Sequence, residues 1–199
     1  FCTYHSICDW YHPDYPQGSP GGRTKKPNPN MERYVQYLHN QTAEIIRKYG
    51  PLGVMWFDGE WEQSWTHDHG LALYKHIRTA QPDILINNRV DKGRRGMAGS
   101  TEGPNFVGDF DTPEQRVGTF NRERPWETCM TICRQWAWKP NDELKTLSQC
   151  LQILLRTVGG DGNLLLNVGP MPDGQIEPRQ VERLKEIGAW LKKYGDGVY

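Results

Sequence analysis

Leu52-Gly53-Val54-Met55-Trp56-Phe57-Asp58-Gly59-Glu60-Trp61 is a short apolar run that stops at a carboxylate and a glycine. Its length and apolar character suit a buried strand over Leu52–Phe57. On a strand, alternate residues share a face, so Trp56 and Asp58 point the same way. The run is flanked by helix-period segments. Upstream, Met31–Tyr49 carries Val35, Leu38, Thr42, Ile45, Ile46 and Tyr49 at helical spacing and is stopped by Gly50-Pro51. Downstream, Leu71–Ala80 reads as helix and Ile84–Asn87 as the next strand.

The alternation continues outward in both directions. Phe1–Ser6 is extended, and a Pro- and Gly-rich loop follows from His12 to Asn30. Later come a strand at Glu127–Ile132, a Leu-rich helix over Glu143–Val158, an apolar strand at Asn163–Val168 and a helix over Pro178–Tyr194 with Pro in its first turn. Strand–helix alternation implies parallel strands buried on both faces, an α/β fold. No Gly-x-Gly-x-x-Gly follows the early strands, which argues against a dinucleotide-binding domain. Polar and aromatic groups instead collect after the strands, at Asp9-Trp10, Asp58-Gly59-Glu60-Trp61, Asn88-Arg89 and Gly169-Pro170. Chemistry gathered at the C-terminal ends of parallel strands is the habit of a (β/α)8, TIM-like barrel, of which about five strands are expected here.

Composition narrows the function. Formal net charge is +0 with no long basic run, so a nucleic-acid grip is not expected. Mean hydropathy is −0.77, and runs such as Leu164–Val168 are far shorter than the ~20 residues of a membrane-spanning helix. Eight Trp and nine Tyr suit either core filling or stacking on sugar rings. Cys2, Cys8, Cys129, Cys133 and Cys150 have neither framework nor zinc-site spacing. His67-Asp68-His69 is not expected to bind metal, because adjacent side chains diverge on most backbones. Gly159-Gly160-Asp161-Gly162 lacks a following Lys-Ser/Thr and reads as a tight helix-to-strand turn.

Asp58 is the leading chemical candidate, although an Asp there would also serve as a helix cap or a surface residue. Glycoside hydrolysis needs two carboxyls about the scissile bond. Glu60, Glu62, Glu102, Glu114, Glu123 and Glu127 are all candidate partners, and spacing does not choose among them.

Several motifs carry a family resemblance. Tyr4-His5-Ser6-Ile7-Cys8-Asp9-Trp10-Tyr11-His12-Pro13-Asp14-Tyr15 resembles a strand and loop of the α-L-fucosidases of glycoside hydrolase family 29. Trp56-Phe57-Asp58-Gly59 is similar to that family's nucleophile strand, and Asn87-Asn88-Arg89 to its Asn-Asp-Arg strand end, with Asn for Asp. Phe110-Asp111-Thr112-Pro113-Glu114 resembles the acid/base loop. Trp126-Glu127-Thr128-Cys129-Met130-Thr131 and Gly162-Asn163-Leu164-Leu165-Leu166-Asn167-Val168-Gly169-Pro170 complete the series in family order.

The resemblance implies a retaining exo-fucosidase acting on fucosylated oligosaccharides or glycoconjugates, without metal or other cofactor. A non-catalytic carbohydrate-binding relative of the same barrel is the alternative. Asp58 matches the nucleophile and Glu114 the acid/base, with Glu127 as the rival position. Tyr4, Trp56, Arg89 and Trp136 match sugar-pocket residues, and His5 a pocket position often held by Tyr. The resemblance also implies a secreted, periplasmic or lysosomal protein, and a chain that is the C-terminal part of a barrel. The family's paired pocket histidines and Trp, and its β-sandwich, have no counterpart in these residues. Phe1-Cys2-Thr3-Tyr4 reads as the middle of a strand, as expected of a piece of a longer protein.

Overall fold

A computed structural model of the chain describes residues 1–20 and 24–199; residues 21–23 of the loop expected from His12 to Asn30 lie outside the described residues. Among the described residues five strands and four α-helices alternate, except that no α-helix separates β3 from β4: β1 (Cys2–Ser6), α1 (Met31–Lys48), β2 (Val54–Asp58), α2 (His67–Ala80), β3 (Leu85–Ile86), β4 (Glu127–Thr131), α3 (Leu147–Gly159), β5 (Asn163–Asn167) and α4 (Pro178–Tyr194). All strand pairs are parallel, as the alternation predicts. The described residues hold a three-stranded sheet, β1-β2-β3, and a two-stranded sheet, β4-β5, and no closed barrel. The chain divides into two compact units, Phe1–Arg95 with Ser100–Asp111, and Gly96–Gly99 with Thr112–Tyr199.

In the first unit the register pairs Tyr4 with Trp56, His5 with Phe57 and Ser6 with Asp58. Met55 and Phe57 turn to the helix-covered face, where Leu38 and Ile46 of α1, Leu73 and Ile77 of α2, and Ile86 of β3 join them in one core. Burial of this apolar surface is the main force holding helices to sheet. The opposite face is different. Among the described residues, β1 alternates exposed and half-buried positions. Tyr4 and Ser6 stand on the open face with Trp56 and Asp58.

Helix ends follow local chemistry. Asn30 caps α1 by accepting from the Arg33 N–H, and Gly50, at φ 79°, ends it in the left-handed region. The buried stripe is Tyr34, Leu38, Thr42 and Ile46; Tyr49, expected on that face, is exposed. α2 begins at His67, earlier than the expected Leu71, because Thr66 and His69 form a capping box. Histidine is an unusual third residue for that motif, which hides the start. His67 meanwhile bonds the buried Asp91 carboxylate at 2.9 Å. The two imidazoles thus serve different structural partners.

In the second unit, α3 begins at Leu147 rather than Glu143, capped reciprocally by Thr146 and Gln149. The preceding residues are held elsewhere: the Lys145 N–H bonds the Ile132 carbonyl and its ammonium the Thr131 carbonyl. The Gly159–Gly162 segment is the tight turn its sequence suggested. Gly160 caps α3, Asp161 adopts φ 60°, and a β-carbon on Gly162 would lie 2.3 Å from the Trp126 ring. Trp126 is buried beneath this turn and donates its indole N–H to the Gly160 carbonyl at 3.2 Å.

Candidate active site

Asp58 closes β2 at its C-terminal end, with its side chain 20% exposed. Its Oδ1 accepts from Nη1 of Arg89 at 2.7 Å, and its Oδ2 from the Tyr4 hydroxyl at 2.7 Å. Charge-assisted bonds of this kind hold a carboxylate firmly in one orientation. The arginine is itself fixed: its side chain is 3% exposed and its guanidinium carbon lies 4.6 Å from the centroid of the Trp56 ring. Trp56 also stacks on Tyr4, with centroids 5.7 Å apart and planes at 18°. Desolvation first, and the Asp58 carboxylate second, push the Tyr4 phenol well above its ordinary range, so it acts as a donor to Asp58.

The backbone around this cluster is braced by side chains. Asn87 accepts from the Phe57 N–H at 2.8 Å and donates to the Phe57 carbonyl at 2.9 Å. A carboxamide thereby continues the β2–β3 ladder one step past Ile86, just before Asp58. The chain after Asn87 is free to form a short 3₁₀ turn, Asn88–Val90, which delivers Arg89. Gly59 adopts φ 113°, and a β-carbon there would stand 2.4 Å from Cys8 Sγ, so glycine is required as the chain leaves Asp58. Burial pushes the Cys8 thiol up to about 11, keeping it a donor to the Gly59 carbonyl.

Beneath lies a buried ion pair that sequence spacing did not reveal, Glu60 with Arg94 at 3.3 Å. Desolvation raises the Glu60 carboxyl above its usual range, opposed by Arg89 and Arg94. Lys92 donates to the carbonyls of both Glu60 and Glu62 and so ties down the turn after β2. Burial lowers its ammonium, against the pull of Glu60 and Glu62.

The Asn at position 88, where the family pattern has Asp, has a local explanation. Asn88 Nδ2 donates to Asp111 Oδ1 at 3.1 Å and to Thr101 at 3.1 Å, and both Asn88 and Asp111 are buried. The acidic group of this pair sits at 111, so its partner must be a donor. Asn88→Asp should cost about 3 kcal/mol of stability at neutral pH, because two buried carboxylates would face each other. The penalty should shrink as acid protonates one of them; thermal melts of the full-length protein across pH 4 to 7, a range of about three units, read that trend.

His5 is not brought to this cluster. Strand alternation sets it on the face opposite Tyr4, with its ring 6.0 Å from that of Phe57. Desolvation there lowers its imidazole. The second unit holds the other candidates. Glu114 is half-buried in an extended stretch tied alongside β4: the Gln115 N–H bonds the Cys129 carbonyl and the Cys129 N–H the Pro113 carbonyl, each at 2.9 Å. These two bonds tie the stretch around Glu114 to β4. Glu127 is the half-buried first residue of β4, and Trp136, 41% exposed, lies in the loop beyond that strand.

A family model described as α-L-fucosidase matches residues 1–196. The chain belongs to the α-L-fucosidase family. It is similar to an α-L-fucosidase of Branchiostoma floridae, 30% identical over 209 residues that cover 100% of this chain and 43% of that protein. Among solved structures, α-L-fucosidase isoenzyme 1 of Paenibacillus thiaminolyticus is 36% identical with a TM-score of 0.84, covering 98% of this chain and 49% of that one. A family 29 α-L-fucosidase of Bacteroides thetaiotaomicron, 26% identical with a TM-score of 0.80, covers 98% and 47%. That structure is a trapped covalent intermediate with 2-fluoro-fucosyl fluoride in a Glu-to-Gln mutant. The chain therefore spans under half the length of these relatives.

Proposed function

We propose that the full-length protein is a retaining exo-α-L-fucosidase, acting on fucosylated glycans, whose catalytic (β/α)8 barrel includes the five strands described here. The observation that carries this reading is the strand-end carboxylate of Asp58, oriented through both oxygens by Arg89 and Tyr4. Asp58 attacks the anomeric carbon while Glu114, protonated, gives its proton to the departing glycosidic oxygen. The C–O bond breaks, its electron pair leaves with that oxygen, and a fucosyl ester forms on Asp58. Water, deprotonated by Glu114, then cleaves the ester and restores both groups. The covalent intermediate of the Bacteroides relative supports this two-step course. Trp56 and Trp136 supply aromatic faces to the sugar, and Arg89 binds its hydroxyls.

The test is to follow an aryl α-L-fucoside by proton NMR with the full-length protein. The first-formed fucose should be the α anomer. Initial β-fucose would reject double displacement, and fucose binding without aryl release would make the protein a non-catalytic carbohydrate-binding relative.

A further inference from the structure

Two large aromatic side chains near Asp58 stand outside the core of the described residues and have no role in the reaction just described. Tyr11 is 96% exposed and Trp61 58% exposed. Each occupies the same position of a tight turn. The His12 N–H bonds the Asp9 carbonyl at 3.2 Å, making Trp10 and Tyr11 the central pair of one turn. The Glu62 N–H bonds the Gly59 carbonyl at 3.1 Å, making Glu60 and Trp61 the central pair of the other. In each, the first central side chain turns inward, Trp10 half-buried and Glu60 buried, and the second is thrown out.

The turns are neighbours. They leave adjacent parallel strands, where the Ile7 N–H bonds the Asp58 carbonyl at 2.7 Å. Beyond that, the Cys8 thiol meets the Gly59 carbonyl at 3.7 Å, and the Trp10 indole N–H meets Glu62 Oε1 at 3.4 Å. Lys92 fixes the second turn through two of its carbonyls. The Trp61 Cα lies within roughly 10 Å of the Asp58 Cα, since only Gly59 and Glu60 lie between them.

Turn positions favour Gly, Asn, Asp, Pro and Ser, so Trp and Tyr there are not explained by the turns themselves. Large rings held out on braced turns beside a reactive carboxylate are a ready surface for an apolar ligand face. We propose that Trp61, aided by Tyr11, forms the platform for the leaving group: the neutral pyranose ring to which the fucose is attached, stacked through its C–H face. This rests on the fucosidase reading above. In-line displacement sends the leaving sugar off the side of the anomeric carbon away from the attacking oxygen, and these two rings are apolar groups that the turns beside Asp58 leave exposed among the described residues.

The experiment compares two substrates on the full-length protein: α-L-fucosyl fluoride, whose leaving group has no ring, and a disaccharide with fucose on a neutral pyranose. The readout is the ratio of kcat/KM for the disaccharide to that for the fluoride. Trp61→Ala should lower this ratio about tenfold, Tyr11→Ala by a smaller factor, and Trp61→Phe, which keeps a stacking face, should restore most of it. Equal losses on both substrates, or no loss, would overturn the platform. Should Trp61→Ala fail to fold, Tyr11→Ala decides by the same ratio, because that side chain is almost wholly exposed. A wild-type protein inert toward both substrates would instead sink the fucosidase reading, and the platform with it.

Discussion

Replacing Asp58 with Gly in the full-length protein should lower turnover of an aryl α-L-fucoside by at least roughly a thousandfold. On the proposed mechanism the carboxylate does what no neighbour can: it forms the bond to the anomeric carbon as the aryl oxygen leaves with its electron pair. Arg89 and Tyr4 would remain around the vacated space, the first a cation and the second a donor. Azide fits that space and is drawn to the guanidinium, so added azide should restore part of the rate. Its attack from the Asp58 side places the new C–N bond opposite the broken C–O bond, giving β-fucosyl azide. Activity near that of the unmodified protein, or an α-configured azide product, would remove Asp58 from the role.

Glu114→Ala should slow natural fucosides, whose leaving oxygens need a proton, by about 10²–10⁴-fold. Aryl fucosides with acidic phenols depart without that help, so their first step should be largely spared. The ester would then accumulate, seen as a burst of released phenol followed by a slow steady state. Azide should accelerate the second phase, since an anion needs no general base. If Glu127→Ala gave this pattern and Glu114→Ala left natural substrates unaffected, the acid/base role would pass to Glu127. The test is informative because both carboxyls belong to the β4 region, Glu127 within the strand and Glu114 in the stretch laddered to it.

The alternation of strands and helices was legible because apolar periodicity is a local property of sequence, and the parallel pairing followed from it. So was the shared face of Trp56 and Asp58, which period-two alternation dictates. Boundaries were less legible where side chains override periodicity, as with His69 in the Thr66 cap and Lys145 at the end of β4. The tie between the segment around Glu114 and β4 was not legible, because Thr-Pro-Glu-Gln has little strand character and its partner is distant in sequence. At the site, Tyr4 and Arg89 were placed with Asp58 by motif resemblance, and the structure joins all three. His5 misled because the motif names positions without fixing which face of the strand each occupies. The Glu60–Arg94 pair was invisible, since a buried ion pair and a solvated Glu and Arg look alike in sequence.

The carboxamide of Asn87 works as a splice. Backbone pairing between β2 and β3 stops after two residues, yet the peptide of Phe57 still finds both its partners, in a side chain. The route of the third strand is therefore uncoupled from the position of the second. The chain can swing away to present Arg89 while the carboxylate one residue beyond Phe57 stays where the sheet put it. An Asp at 87 would lose the donor and a Gln would overshoot the peptide, so either change would loosen Asp58 without touching it. Substitutions in the turn that follows, by contrast, can reshape the surroundings of Arg89 and leave Asp58 in register.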